Sequence, residues 1–437
     1  MLHSFKGGIH PDDMKRLSND KPIEKLAAPA FVVLPVSMHI GAPCQPIVKK
    51  GDHVFMGQKI ADSEAPVSAP VHATVSGTVR DVIPYPHPNG SQVLSVIIDN
   101  DFKDELDPSI APIDIGKLNT QEIISAIRNA GIVGHGGAAF PTHLKISSGL
   151  GKVDNVLINA AECEPYITSD HRLLLERTTE IVEGTKILRK IFGEVNTSIC
   201  IENNKMNAFK SVEACLTESD HIEVCHLKTK YPQGAEKQLI YAITGREVPS
   251  GKLPADAGCA VFNADTAAAI YRLFHYGIPV MRRIVTVSGS AIVTPKNLEV
   301  KIGTPVENLI EACGGFKNPP NKLLMGGPMM GLALYSTDVP VIKGTNAIIA
   351  FCENECVTVS NPACIRCGKC IDICPMRLLP TYIYQCHKKG SVADLEKYNA
   401  LDCIECGACT YVCPAKVPLV HGIRVAKQRV QDARRKK

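Results

Sequence analysis

Short apolar runs separated by turn residues fill the chain between residues 30 and 101. The run at 31–34 is the clearest strand, and breaks such as Gly51, Gly57 and Gly77 follow it at short intervals. Short strands with glycine and proline between them predict a small all-β unit.

The segments 47–58 and 68–77 resemble the barrel-sandwich hybrid of biotinyl and lipoyl carrier domains. Because no lysine lies between Ser63 and Thr74 for such a modification, we expect a structural unit, with docking as the alternative.

The pattern of apolar residues at 120–129 predicts a helix, in which three isoleucines share one face. Thr120 is the expected N-cap residue, and Gly131 follows the end of the helix. The isoleucines are Ile123, Ile124 and Ile127.

Strand and helix patterns then alternate along the chain. Apolar runs at 153–159 and 197–202 flank a helical pattern at 172–189. Such alternation predicts an α/β domain, which closes near Tyr276. Runs at 283–288 and 298–302, with a helical pattern at 305–312, predict a smaller β-rich domain.

Composition adds three constraints. A chain of 437 residues with 45% hydrophobic and 21% charged residues is expected to form several globular domains. A net charge of +4 without a basic stripe argues against nucleic acid as a partner. No apolar run approaches the roughly 20 residues of a membrane-spanning helix, and the N-terminus lacks signal-peptide features, so a cytosolic or peripheral protein is expected.

Two cysteine motifs with identical spacing, Cys-x2-Cys-x2-Cys-x3-Cys-Pro, lie near the C-terminus. In ferredoxin-type pairs of 4Fe–4S clusters, the fourth cysteine of each motif ligates the other cluster. Cluster I is therefore assigned Cys364, Cys367, Cys370 and Cys413. Cluster II is assigned Cys403, Cys406, Cys409 and Cys374. Structural zinc is the alternative, but zinc ligands usually come as separated pairs.

Ten of the 18 cysteines lie outside these motifs and are assigned no ligand role. Buried or free thiols are the ordinary state of such residues. They are Cys44, Cys163, Cys200, Cys215, Cys225, Cys259, Cys313, Cys352, Cys356 and Cys386.

Residues 131–145 form a glycine-rich stretch that ends at Lys145. Glycine allows a backbone to approach a phosphate or a flat ring closely. A simple turn is the commoner role of such a stretch, and no predicted strand precedes it as a dinucleotide fingerprint requires.

This stretch closely resembles the FMN-binding loop of the flavin subunit of respiratory complex I. Segments 159–165, 170–172, 231–236 and 262–266 match the same family in the same order. The resemblance implies FMN contacts from Gly134, Gly136, Gly137, Ala138, Lys145, Asn159, Gly234, Asn263 and Thr266. It implies that Phe140, Glu162, Glu164 and Glu236 face the nicotinamide nucleotide.

In the reaction implied by this resemblance, Glu162 and Glu164 orient NAD(H) and Lys145 lies near the flavin. The ordinary alternative is that these are solvated surface side chains. His135, Ala161 and Ala235 depart from the complex I pattern, which has an arginine, an aspartate and a glutamate there.

Over nearly its full length the chain resembles the RnfC family, which belongs to the Rnf complex, the membrane-bound, ion-translocating ferredoxin:NAD oxidoreductase. The matching segments include 5–11, 39–44, 283–334 and the cluster module. The resemblance implies two 4Fe–4S clusters, FMN, NAD(H) as substrate, and a peripheral position on the cytoplasmic face of the membrane. Its implied partners are the other membrane and iron–sulfur subunits of the Rnf complex, with ferredoxin acting indirectly.

The expected fold is multidomain, α/β plus α+β, with a Rossmann-like flavin domain. Its predicted parts are an N-terminal arm (1–29), a barrel-sandwich hybrid (30–105), an FMN and NAD(H)-binding domain (115–277), a soluble-ligand-binding β-grasp domain (280–345), a two-cluster module (355–422) and a basic, helical tail (423–437).

Two alternatives to an NAD(H)-dependent oxidoreductase subunit stay open. A cobalamin reductase would share the flavin and cluster domains but is expected to place its sandwich unit elsewhere in the chain. A non-catalytic electron-wiring subunit would lack a working nucleotide site.

Overall fold

The computed structural model describes residues 2–353 and 359–435. Outside these residues lie Met1 of the arm, the start of the predicted cluster module with Cys356, and the last two residues of the tail, Lys436 and Lys437.

Two antiparallel sheets form the N-terminal unit, which confirms the all-β prediction. The arm contributes one strand, β1 (Ile23–Lys25). The strands of the unit are β2 (Phe31–Pro35), β3 (Gln45–Pro46), β4 (His53–Val54), β5 (Lys59–Asp62), β6 (Val71–His72), β7 (Gly77–Pro86) and β8 (Gln92–Asn100). The sheet orders are β2-β8-β7-β4 and β3-β5-β6.

A parallel four-stranded sheet with helices forms the second unit, as the alternating pattern predicts. Its elements are α1 (Thr120–Asn129), α2 (Thr142–Gly149), β9 (Asn155–Ala160), α3 (Ser169–Glu176), α4 (Thr178–Ile191), β10 (Asn196–Glu202), α5 (Met206–Cys215), β11 (Ile222–Leu227), α6 (Glu236–Thr244), β12 (Cys259–Asn263) and α7 (Ala264–Tyr276). The strand order is β11-β10-β9-β12.

Two details of the predicted helices are wrong. Asn119, not Thr120, caps α1: its side chain accepts a hydrogen bond from Glu122 N at 3.0 Å, and the Glu122 carboxylate accepts one from Asn119 N at 2.8 Å. The helix predicted at 172–189 is two helices, because Arg177 leaves the helical conformation with φ −137°.

A mixed six-stranded sheet with one helix forms the third unit. Its elements are β13 (Arg282–Ser288), β14 (Lys296–Lys301), α8 (Val306–Ala312), β15 (Lys322–Met325), β16 (Leu332–Ala333) and β17 (Ala347–Phe351). The order is β1-β14-β13-β17-β15-β16, so this sheet includes a strand of the arm and one beyond residue 345.

Short helices form the cysteine module. They are α9 (Lys369–Asp372), α10 (Pro380–Lys389), α11 (Val392–Lys397), α12 (Ala408–Tyr411) and α13 (Leu419–Arg435). The helical tail is confirmed as part of α13, whose Ile423, Ala426 and Val430 are buried against α10 and α11 residues such as Ile383 and Leu395.

The N-terminal unit and the α/β unit share one hydrophobic core, in which residues such as Ile60 and Val71 join Ile127 and Ile158. In the part of the chain that the structure describes, no helix is both long enough and apolar enough to span a bilayer.

Candidate functional site

The strands β9 and β12 lie side by side: from β9 the sheet continues through β10 to β11 on one side, and β12 is added on the other side. Asn159 is near the carboxyl end of β9, and Asn263 ends β12. The glycine-rich loop lies against this edge, since His135 N donates to the Thr266 hydroxyl at 3.0 Å. In open α/β sheets, ligands bind at such a switch point.

Gly136, Gly137 and Ala138 form an exposed surface on this loop. A Cβ at Gly136 would meet only Asn263 side-chain atoms, the nearest at 3.7 Å, and Gly136 is not among the glycines with positive φ. Neither packing nor backbone conformation therefore requires glycine at this position. An open surface with no side chain larger than a methyl group is what a flat cofactor resting on the loop requires, so these residues fit a flavin.

A buried cluster of charged and polar side chains holds the glycine-rich loop in place. His135 Nδ1 lies 2.9 Å from Asp265 Oδ2, and the Asp265 carboxylate also pairs with Arg272 and Arg283. Arg283 donates to the His135 carbonyl at 2.8 Å. Burial lowers the pKa of His135 to about 4. His135, one of the departures from the complex I pattern, is thus a neutral support of the loop.

Asn159 and Gly234 are brought together by hydrogen bonds. Asn159 Nδ2 donates to the Gly234 carbonyl at 2.8 Å, and Gly234 N donates to Cys163 Sγ at 3.2 Å. A Cβ on Gly234 would lie 3.3 to 3.4 Å from Cys163, Ala161 and Asn159 atoms, which is tight contact.

Lys145 and Glu236 form a half-buried ion pair with an Nζ to Oε1 distance of 2.6 Å. Lys145 Nζ also donates to the Val261 carbonyl at 2.9 Å. Lys145 is therefore fixed against β12 rather than free in solvent.

Glu162 lies just before α3. Its Oε1 accepts a hydrogen bond from Asp170 N at 2.6 Å, and its Oε2 accepts one from His171 N at 3.3 Å. The side chain is only 4% exposed. A carboxylate at a helix N-terminus satisfies free backbone N–H groups, so Glu162 acts here as a cap.

Glu164 points toward the third unit. Its Oε2 accepts from Met329 N at 3.1 Å, and Tyr231 OH lies 3.3 Å from its Oε1. Burial raises the pKa of Glu164 to about 7. Glu164 thus contacts the 326–331 loop of the β-grasp unit, a neighbour that the resemblance did not imply.

A second buried carboxyl lies closer to the loop. Asp170 accepts a hydrogen bond from Asn263 Nδ2 at 2.6 Å, and burial raises its pKa to about 7. The resemblance includes Asp170 in the matching segment 170–172 but implies no role for it, and its contact with Asn263 places it at this edge of the sheet.

Two buried lysines hold the backbone that carries these acids. Lys205 Nζ donates to the Ala161 carbonyl at 2.7 Å, and Lys15 Nζ donates to the Glu164 carbonyl at 3.1 Å. Between them Glu162 adopts φ +47°, a conformation that a side chain rarely takes. No sequence motif marked either lysine, since both act through segments distant in the chain.

The cysteines of the two motifs gather into two groups. Cys364, Cys367, Cys370 and Cys413 line a cavity of about 350 Å³. Cys374, Cys403, Cys406 and Cys409 line a second one. Each group takes its fourth cysteine from the other motif.

The surroundings of these thiols fit iron–sulfur clusters. Backbone N–H groups donate to Cys364 and Cys403 Sγ at 3.4 Å and to Cys374 Sγ at 3.3 Å. Burial raises the pKa of Cys406 and Cys409 to about 12, so these thiols need a cation to be held as thiolates. Four thiols around one cavity with N–H donors at sulfur are typical of such centres. Of the nine other cysteines that the structure describes, the six at positions 44, 200, 225, 259, 313 and 386 are buried.

The second cysteine group adjoins the α/β unit. Tyr231 OH donates to the Cys406 carbonyl at 2.8 Å, and Gly8 N donates to the Ile373 carbonyl at 2.8 Å. A Cβ on Gly407 would lie 3.0 Å from the Met329 carbonyl. Tyr231 therefore links Glu164 to the loop that holds one proposed cluster.

Family comparisons divide the chain into four matches. Residues 3–103 match the RnfC barrel sandwich hybrid domain, and 127–272 match the Nuo51 FMN-binding domain. Residues 284–333 match the SLBB domain, and 363–417 match the 4Fe-4S dicluster domain.

Several proteins resemble nearly the whole chain. The C subunit of the Na(+)-translocating ferredoxin:NAD(+) oxidoreductase complex of Acetobacterium woodii is 47% identical over 99% of this chain and 98% of its own. Its counterpart in the proton-translocating ferredoxin:NAD(+) oxidoreductase complex of Clostridium ljungdahlii is 46% identical over 98% of this chain and 94% of its own. The C subunit of the ion-translocating oxidoreductase complex of Rhodobacter capsulatus is 41% identical over 99% of this chain and 84% of its own.

Among solved structures, an NAD+-reducing NiFe hydrogenase in the H2-reduced state is similar with a TM-score of 0.51 and 17% identity. The match covers 72% of this chain and 62% of that chain. The match supports a similar fold in the part of this chain that it covers.

Proposed function

This chain belongs to the RnfC family of the ion-translocating ferredoxin:NAD(+) oxidoreductase (Rnf) complexes, and from this premise we propose that it exchanges electrons between NAD(H) and two 4Fe–4S clusters through FMN. The observation that carries the proposal is the Tyr231 hydrogen bond, which joins the flavin-loop domain to the second cysteine group.

Particular residues are proposed to hold each cofactor along the electron path. A bound flavin supplies the exchange between two-electron and one-electron chemistry that neither NADH nor a cluster performs alone. Gly134 to Phe140 would form the surface that holds it, and Lys145, paired with Glu236, would lie beside it. The Thr266 hydroxyl of α7 accepts a hydrogen bond from His135 N of the loop, and Asn263 lies next to Gly136. Cluster I takes Cys364, Cys367, Cys370 and Cys413, and cluster II takes Cys374, Cys403, Cys406 and Cys409.

The acidic residues have two proposed roles: some contact the nucleotide, and others hold the backbone of the site in place. Glu164 and Phe140 are proposed to contact the nucleotide, with Glu236 beside them. Glu162 contributes indirectly, by capping α3 and fixing the 161–167 segment. Asp170, buried beside Asn263, is added to the set that borders the flavin.

In the cell, this chain is a peripheral subunit on the cytoplasmic face of the membrane, where the other subunits of the Rnf complex hold it. The family relationship supports this position. Ferredoxin exchanges electrons with it indirectly, through those subunits.

The test is an anaerobic titration of the purified, cluster-loaded chain with NADH, following flavin bleaching and cluster reduction separately. We expect flavin to bleach and both clusters to become reduced in turn. If flavin is bound and NADH bleaches nothing, while reduced ferredoxin does, the chain is an electron-wiring subunit without a nucleotide site.

A further inference from the structure

The two cysteine groups differ sharply in exposure. Cys364 and Cys367 of the first group are exposed, whereas Cys406 and Cys409 of the second are only 7% and 8% exposed. Tyr231 and Met329 cover the second group from the flavin and β-grasp units. Electrons that reach cluster II from the flavin therefore leave the chain through cluster I.

The surface around cluster I is apolar and basic. Ile365 and Tyr382 are large hydrophobic side chains, 65% and 47% exposed, and Arg366 and Lys369 lie beside them. The residues that line this cavity include no aspartate or glutamate. Among the described residues, neither Arg366 nor Lys369 forms an ion pair with a carboxylate. We call Ile365, Arg366, Lys369, Tyr382 and Gln385 the cluster I face.

We propose that the cluster I face is the docking site of a one-electron carrier protein whose own docking surface is acidic. The inference rests on the proposed function, since it requires a cluster behind the face. An apolar centre with a charged rim is the usual anatomy of an interface, and opposite rim charges accelerate association and fix orientation. Electron carriers use small, transient interfaces of this kind.

Two other occupants fit the face less well. Recognition of an anionic membrane usually takes about four to eight clustered Lys and Arg residues, whereas this face holds only Arg366 and Lys369. A second copy of the chain in a symmetric dimer would bring the same patch onto itself, placing Arg366 and Lys369 against their own equivalents. Of these three occupants, only an acidic carrier accounts both for a cluster at the surface and for the cations Arg366 and Lys369, which have no carboxylate partner among the described residues.

The probe is a small, soluble, acidic ferredoxin, which serves as a stand-in for the acidic carrier and not as the physiological partner, since ferredoxin is proposed to reach this chain through the other subunits. Its binding to the cluster-loaded full chain is measured by calorimetry at low and at high salt. Wild type is expected to bind at low salt and to lose affinity as salt rises. Lys369→Glu should weaken binding at low salt by about tenfold or more. The control is Lys210→Glu, which makes the same change of charge at an exposed position of α5 and should leave affinity unchanged.

Because Lys369 lies between two cluster ligands, a second variant avoids the ligand loop. Gln385→Glu on α10 places a negative charge in the face and should also weaken binding about tenfold. Iron content, flavin content and NADH-dependent bleaching are recorded for every variant and should match wild type.

Three results would overturn the docking proposal while leaving the electron-transfer function intact. They are no binding of the ferredoxin at low salt, equal affinity of the variants and the control, and binding of anionic vesicles or self-association that Gln385→Glu abolishes. Loss of flavin bleaching by NADH in the wild type would instead count against the proposed function itself.

Discussion

Gly136 is a residue whose identity the protein alone does not explain. Its Cβ would have room, since the nearest atom lies 3.7 Å away on Asn263, and its backbone does not need a positive φ. Glycine there is accounted for by something that rests on the loop. This contrasts with Gly77, where a Cβ would lie 1.9 Å from the Asp99 carbonyl.

Gly136→Val is therefore expected to fold normally but to lose bound FMN, because the added methyl groups occupy the cofactor's space. Flavin and iron are measured on the same sample, and the iron content should stay at the wild-type value since the cluster module is a separate unit. Retention of stoichiometric FMN by this variant would show that the flavin lies elsewhere.

Glu164→Gln tests the buried acid beside Met329. Burial raises the pKa of Glu164 to about 7, so the carboxyl is neutral at lower pH and charged at higher pH. If its charge orients the nucleotide, the variant should keep flavin and bleach more slowly with NADH above about pH 7, and should approach wild type below that pH. Glu213→Gln on exposed α5 is the matched control.

The same substitution should also change how the thermal stability of the protein depends on pH. A carboxyl whose folded pKa is raised stabilises the fold at low pH and loses that contribution as pH rises through about 7. Wild type should therefore lose thermal stability between about pH 4.5, the ordinary value for glutamate, and about pH 7, and Glu164→Gln should lose less. An identical pH dependence of the melting temperature in both proteins would contradict this.

At the scale of elements, the fourth cysteine of each motif lies with the first three of the other. Cys374 follows α9 yet lies with Cys403, Cys406 and Cys409, and Cys413 follows α12 yet lies with Cys364. The two halves of the module are thus interlocked.

Cys374→Ala should damage the cluster held by Cys403, Cys406 and Cys409 and spare the other. Electron paramagnetic resonance of the reduced protein separates the two signals. Cys386→Ala, which removes a buried cysteine of the same module, is the control. Loss of the Cys364 cluster alone would reverse the assignment.

The helices α4 and α7 approach closely at one glycine. A Cβ on Gly184 would lie 1.8 Å from the Ala267 carbonyl. Gly184→Ala must push α7 away, and overpacking of this kind costs about 1–3 kcal/mol. Because α7 begins with the residues that anchor the flavin loop, FMN affinity should fall together with the melting temperature. Lys190→Ala, on an exposed position of α4, should change neither.

Across the whole molecule, the cluster module contacts the rest through a small apolar cluster around Tyr231 and Cys406 and through several hydrogen bonds, among them the one from Ser250 Oγ to the Asp402 carboxylate. Gly8 N bonds to the Ile373 carbonyl, Tyr231 OH bonds to the Cys406 carbonyl, and Met329 lies against Gly407. The N-terminal and α/β units instead share a continuous core.

Removal of iron by a chelator should therefore loosen the module without unfolding the flavin domain. The loaded chain should carry about eight iron and eight sulfide. After removal, hydrogen exchange should become faster at the Gly8 amide and throughout the cysteine loops, while the amides of β9 and β10 stay protected. Exchange that accelerates equally in β9 would mean that the molecule unfolds as one unit.

The sequence by itself determined the features that depend on neighbouring residues. The cysteine spacing predicted two 4Fe–4S clusters, and the alternation of strands and helices predicted the α/β unit, because both patterns depend on residues near one another in the chain. FMN and its candidate residues were implied instead by the resemblance of the glycine-rich loop to a known family. Tertiary structure decided the rest. Glu162 caps α3, Glu164 contacts Met329, β1 pairs with β14, and Tyr231 reaches Cys406. Periodicity shows which face of an element is buried, but the partner of a buried polar group is set by packing between segments far apart in the chain.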